Sequence, residues 1–385
     1  MRNDWKAKVT RVSSALKCRE GDRVPISDFF WGSFLKRWRQ ELGLQDDADP
    51  YQYYDLDYIV LEPNMDPHIK PFKIIKEDKE EVTVCTGFEC VIRKKFADPM
   101  PAYLSWDTQT VKEIQNFKFD DPWDDRRYFS VGDDQINCVG DSYLRNIPSF
   151  VNRVKEQVNK GIPVFGSVCE GHETLWRIIG MKHGLEMMAL EPEVIARFVE
   201  RIGDFMYKIG EAQIKAADGM LSGMYIWGDV AYTSGMLFSP KYWRKVFKPV
   251  VKRLGELFHS YHLPVIYHGC GNATEIYNDF IEAGIDGYNP LEAKSGLDVV
   301  KLRNQFGHRL AFVGNMDVTL WARNNKKEIK DAVLHKLNAA RGGGYIFQSD
   351  HSVPPNISGE SYDYAVKLVR KYGVYPLRLG KYEEI

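Results

Sequence analysis

His268 and Cys270 stand two positions apart in "YHGCGN", directly after the apolar run Leu263-Pro264-Val265-Ile266. In an extended chain alternate side chains project to the same side, so an imidazole and a thiol would share one pocket. Nitrogen and sulfur together suit Zn2+, a borderline-soft ion. The competing reading is a strand end with a half-buried thiol beside a hydrogen-bonded imidazole. Two donors do not complete a site, because a catalytic zinc takes three protein ligands and keeps one position open. His351 in "SDHSVPPN" is the best third donor and Glu170 the next. Asp350 could orient His351, ligate in its place or contact substrate.

Other residues fit acid/base or wall-forming roles. Asp229 in "WGDV" suits a general acid/base or a holder of a substrate cation, or else a carboxylate tied to loop amides. Glu170 has the same catalytic potential, against a solvated loop carboxylate or a partner for His172. Asn315 in "GNMD" is placed to face a barrel mouth, whereas Asp317 reads as the cap of the next helix. Phe29, Phe30, Trp31 and Trp227 would supply an apolar wall for substrate. The glycines of "RGGGY" resemble a phosphate cradle, but such a loop runs from strand to helix, and here the order is reversed. A helix end and tight turn is the better reading.

These residues need a scaffold that gathers them. Short apolar runs alternate with helical patterns, the grammar of parallel βα units. The candidate strands are 24–28, 57–61, 162–168, 221–227, 263–267, 287–289, 310–313 and 345–347. Between them lie helical stretches such as "PEVIARFVERIGDFMYKIGEAQIKAA" and "SPKYWRKVFKPVVKRLGELFHSY", the second opened by Ser239 as cap and Pro240 at the first helical position. Eight units predict a TIM (β/α)8 barrel, whose active residues follow the C-terminal ends of the strands. A doubly wound open sheet is the alternative. One domain, 1–385, is expected, with an N-terminal β-hairpin and loop inserted at about 70–135: Lys73–Phe96 as the hairpin and "FDDPWDDRRYFSVGDD" as loop.

Composition narrows the class. The 385 residues are 44% hydrophobic with a formal net charge of -1, which gives no electrostatic reason to expect nucleic acid or an anionic membrane as partner. No apolar run nears the roughly 20 residues of a membrane span. The start, "MRNDWKAKVTRVSSAL", lacks the apolar stretch of a signal peptide. Cysteines 18, 85, 90, 138, 169 and 270 show no framework spacing, so free thiols and a cytoplasmic location are expected.

Taken in order, "GDVAYTSGMLFSPKYWRKVFKP", "VIYHGCGN", "FVGNMDV" and "GGGYIFQSDHSVPPNIS" resemble the uroporphyrinogen decarboxylase superfamily, most strongly from about Pro163 to Gly373. The resemblance implies a TIM barrel and one of two chemistries. True decarboxylases carry an arginine-rich "RQAGRY" clamp after the first strand, where this chain has "SDFFWGSFLKRWRQELG", with Arg37 and Arg39 further along. Without the clamp a polycarboxylate would be buried unpaired, which is costly. The chain is closer to the cobalamin-dependent methyltransferases, which hold zinc on a His-x-Cys pair and a later Cys. His268 and Cys270 match the pair, and His351 falls where the later Cys stands.

The resulting expectation is a zinc-dependent methyltransferase with Zn2+ on His268, Cys270 and His351. Methyl would move between a small thiol, ether or amine and a corrinoid (cobalamin) on a separate partner protein. Aromatic content favours a methoxylated aromatic or a quaternary amine over methanol. The alternatives are a metal-free decarboxylase using Asp229 and His351, and a non-catalytic barrel that binds a tetrapyrrole or a corrinoid protein.

Overall fold

In a computed structural model, which describes residues 3–69, 73–98, 100–131 and 146–383, the apolar runs form one parallel sheet with helices between its strands. Its strands are Ile59–Val60, Val164–Cys169, Leu221–Trp227, Val265–His268, Gly287–Asn289, Ala311–Val313 and Tyr345–Ile346. Each pairs in parallel with the next in sequence. That order has no reversal, so the doubly wound alternative, which needs a switch point, does not hold. The strands are apolar on both faces because both are covered: all of Val164–Cys169 and Ala311–Val313 is buried.

The expected first strand, 24–28, is reduced to a single parallel bridge between Ile26 and Phe347. Ser27 N–H donates to Phe347 O (3.2 Å), Phe347 N–H to Pro25 O (2.9 Å), and Asp57 N–H to Ile26 O (2.8 Å). The segment thus bonds to both ends of the sheet. It forms no regular ladder for a local reason. Pro25 has no N–H to give, and the Ile26 N–H goes instead to the Asp57 carboxylate at 2.7 Å.

The insertion is larger than a hairpin. Lys73–Glu77, Glu81–Cys85, Cys90–Lys95 and Ala102–Trp106 make a four-stranded antiparallel sheet, so Lys73–Phe96 alone supplies three strands. Val82, Val84, Cys90 and Ile92 turn inward at alternate positions, as a half-buried sheet requires. The expected loop 119–134 contains a short helix, Arg126–Phe129, pinned by buried Arg127, which donates to the carbonyls of Asn64, Asp66 and Asp121. Residues 70–72 and 132–135 of the insertion, and Cys138, lie outside the described residues.

Two local rules shape the outer layer. Ser239 caps its helix by accepting from Lys241 N–H (3.2 Å), but the expected single helix breaks at Phe247 into Pro240–Val246 and Lys248–Ser260, because Pro249 cannot donate back. The triple glycine turns tightly with φ of +73°, +86° and +81°. A Cβ on Gly343 would lie 2.3 Å from the Arg19 carbonyl carbon, so the close approach excludes any side chain.

Candidate metal and substrate site

His268 closes its strand, and its ring orientation is set from behind. Asn289 Nδ2 donates to Val313 O (3.3 Å) and Gln348 Oε1 (3.1 Å), which fixes the amide so that its Oδ1 accepts from His268 Nδ1 at 2.6 Å. The proton therefore sits on Nδ1, and the Nε2 lone pair faces Cys270 Sγ, 3.7 Å away. Burial lowers the imidazole pKa to about 4, so the ring is neutral at pH 7, the form that binds metal. Cys270 N–H donates to Asp229 Oδ1 at 2.8 Å. Burial, then the charges of Asp229 and Glu292, push its thiol well above the usual range. A bound cation reverses that balance, because coordination deprotonates a thiol.

Two donor groups form here, and they share Cys270. Asp229, His268 and Cys270 bring one ligand atom each within 4.8 Å of one another, and so do Cys270, Glu292 and His351. The expected set of His268, Cys270 and His351 is thus divided, each histidine meeting Cys270 with a different carboxylate. Nitrogen, sulfur and carboxylate oxygen are the donors zinc takes, so the chemistry of the set fits that ion. Glu292 is the residue that sequence reasoning missed. It lies three positions beyond the strand Gly287–Asn289, in "NPLEAK", a signal overshadowed by Asn289 at the strand end itself. Its Oε2 accepts from Gly271 N–H (3.2 Å) and Ser295 Oγ (3.0 Å). Gly271 has φ +80°, and a Cβ there would lie 2.6 Å from Tyr232 O, so this turn after Cys270 requires glycine.

The carboxylates behind the donors are tuned by burial. Asp229 is raised to about 6, by desolvation first and the Glu173 charge second. His172 Nδ1 lies 2.8 Å from Asp229 O and orders that turn. Glu170 caps the helix Gly171–Ile179, its Oε1 accepting from Glu173 N–H at 2.8 Å. Its Oε2 is buried without a partner among the described residues, and burial raises its pKa to about 8. Glu170 therefore holds a proton at neutral pH.

That proton has a stability consequence with a definite sign. The folded pKa lies above the ordinary carboxylate value, so the folded chain keeps a proton that the unfolded chain releases between about pH 4.5 and 8. The associated stability is complete below that window and lost through it. Glu170→Gln should therefore gain stability relative to the wild type as pH rises from 5 to 8, with a constant difference above. Urea midpoints at pH 5, 7 and 9 test this, and parallel curves for the two proteins would refute it.

The aromatic residues divide into two groups. Trp227 and Phe29 flank His268 with ring centroids 4.7 and 6.3 Å away, and the Trp227 indole N–H has no partner among the described residues. Trp31 lines a cavity of about 430 Å3 together with His351, Lys294, Phe96 and Pro354. Phe30 does not join this wall. It is half-buried, stacks on Phe34 and meets Tyr51 and Tyr362 edge-on, which packs it against the core.

Two expected site residues are occupied elsewhere. Asn315 is fully buried, accepts from Val299 N–H and donates to the carbonyls of Leu291 and Leu297, so it ties loops together and does not face the mouth. Asp350 is buried and accepts from the amides of Ala293 (3.0 Å) and Val318 (3.1 Å), leaving it to brace the loop of His351. Asp317 caps its helix by accepting from Thr319 N–H. No helix among the described residues is long and apolar enough to cross a membrane.

Known proteins resemble the chain at two levels. In sequence it is 27% identical to the uroporphyrinogen decarboxylase of Methylococcus capsulatus over 191 residues, 48% of this chain and 51% of that protein. The enzyme of the same name from Cellvibrio japonicus is 26% identical over 228 residues, 56% of this chain and 61% of the other. The chain thus spans roughly half the length of the relatives it matches. In fold, a methyltransferase from Methanosarcina mazei superposes with a TM-score of 0.65 over 95% of this chain and 98% of that one, at 15% identity. The model of the uroporphyrinogen decarboxylase (URO-D) family matches residues 133–372, and with the parallel sheet and its strand-end residues in place, the chain belongs to that family.

Proposed function

We propose that this protein is a zinc-dependent methyltransferase acting between a small thiol, ether or amine and a corrinoid on a separate protein. The observation that carries the reading is Cys270, whose sulfur lies within 4.8 Å of donors from both groups, His268 and Asp229 on one side, Glu292 and His351 on the other. The fold shared with a methyltransferase supports the reaction class. A (β/α)8 barrel is supported by the segment 24–28, which bonds to both ends of the sheet.

Zinc would be held by Cys270 with either His268 and Asp229 or Glu292 and His351, which leaves a position where it would supply Lewis acidity to the substrate heteroatom, and the partner's corrinoid would supply or accept the methyl group. The chain's own residues prepare the site. Asn289 fixes the His268 tautomer, Asp229 holds the backbone of Cys270, and Phe29 and Trp227 keep water from the imidazole. Where the metal takes the other donor group, Asp229 stands beside Cys270 as the candidate acid/base group for the substrate heteroatom. Glu170 carries a buried proton within reach of the Asp229 charge.

Metal analysis of the purified protein is the test. Near one zinc per chain, with methyl transfer to a corrinoid protein abolished by chelation and restored by zinc, is the expected result. A metal-free protein that releases CO2 from a carboxylic acid would overturn it and favour the decarboxylase reading, to which the names of the sequence relatives point.

A further inference from the structure

We infer that the substrate is a small carboxylate with a flat aromatic body, its anionic group held by Lys294 and its ring by Trp31 and Phe96. This deepens the methyl-transfer reading of the same site and rests on it. The cavity beside His351, about 430 Å3, falls within the range of about 300–1,000 Å3 common for small-molecule sites. Its walls are Trp31, Phe96, Val318, Pro354 and Pro355, flat or apolar surfaces suited to a ring.

The charge pattern of that lining is one-sided. Among the described residues Lys294 is its one lysine or arginine, and no aspartate or glutamate lines the cavity. His351 is a donor of the proposed metal cluster and is not counted as a cation of the lining. Lys294 meets Glu292 Oε1 at a long 3.3 Å, outside the cavity lining, and an ammonium has three donors, so two stay available for a ligand. Ser33 and Ser352 lie on the same lining and can donate to a carboxylate as well. Among the described lining residues a quaternary amine would face a cation and no acid, since Glu292 lies outside the lining, and a polycarboxylate would find one lysine for all its charges. A single carboxylate matches the count.

Phe96 follows directly on the strand Cys90–Lys95, so the inserted antiparallel sheet contributes a wall to the cavity. Substrate choice is thereby tied to the insertion as well as to the strand ends.

Calorimetry on the zinc-loaded and metal-stripped protein tests this with 2-, 3- and 4-methoxybenzoate, each beside its methoxybenzamide, which has the same shape and no charge. At least one acid should bind about fivefold tighter than its amide, near the ceiling for a half-exposed ion pair. Lys294→Gln should erase that preference, and Phe96→Ala should weaken acid and amide by a similar factor. Equal binding of acids and amides, a preference that survives Lys294→Gln, or no binding of any of these compounds overturns the inference. Zinc content measured on the same samples separates the two readings: a charge preference on a protein that takes no zinc refutes the metal and leaves the carboxylate.

Discussion

Cys270→Ser should lower zinc affinity by more than about 100-fold, beyond the roughly 10–100-fold that removal of a partner outside the ligand set costs. Cys270 supplies the one sulfur of the cluster and belongs to both donor groups, so no arrangement of the remaining residues replaces it. A hydroxyl is a far poorer zinc donor than a thiolate, yet nearly the same size, so the Asp229 contact to the Cys270 backbone and the fold around it should persist. Asp229→Asn and Glu292→Gln each touch one group only and should cost less. Competition against a chromophoric chelator gives the affinities, and melting of the metal-free proteins checks that the fold is intact. Wild-type affinity in Cys270→Ser would make "HGC" an ordinary strand end.

Asp57→Ala should destabilise the protein by about 3–5 kcal/mol, the cost of breaking a buried ion pair and leaving its partners uncompensated. Asp57 is fully buried and is bonded on both oxygens. Arg11 Nη1 reaches Oδ1 at 2.5 Å, Arg23 Nη1 reaches Oδ2 at 2.8 Å, and Ile26 N–H donates to Oδ2 at 2.7 Å. Removing the carboxylate leaves the Arg23 guanidinium, with only 10% of its side chain exposed, without an acid partner and the Ile26 N–H without an acceptor, while Arg11 keeps its pair with Asp22. Replacing all three side chains by apolar ones should recover much of the loss, since desolvating the trio is itself costly. Urea unfolding at pH 7 gives the difference, and a change under 1 kcal/mol would show that the network is dispensable.

Strand positions were legible because burial on both faces imposes uninterrupted apolar runs, and 221–227 and 287–289 match their strands end to end. The segment 24–28 is shorter than its pattern because Pro25 and the Asp57 side chain act on single hydrogen bonds, which periodicity does not register. His268 and Cys270 were legible from a spacing of two. The partnership of Cys270 with Glu292 was not, because it depends on how far a loop folds back over the mouth. Phe29 and Phe30 illustrate the same limit. Adjacent aromatics on extended chain face opposite ways, one toward His268 and one into the Phe34–Tyr362 cluster.

The bonds that join Asp28 to Ser349 span 321 residues, and they have a consequence for how the chain is made. At about 5–20 residues per second, a ribosome needs on the order of 16–64 s to travel from one partner to the other. Throughout that interval the segment 24–27 lacks its bonds to Phe347 and Gly373, and contacts so distant in sequence form slowly even in the finished chain. The loop that carries His351 emerges at the end of the same wait. Nascent chains should therefore engage chaperones at their early segment and acquire a complete donor cluster only once His351 has emerged, so any zinc would be taken up no earlier than that.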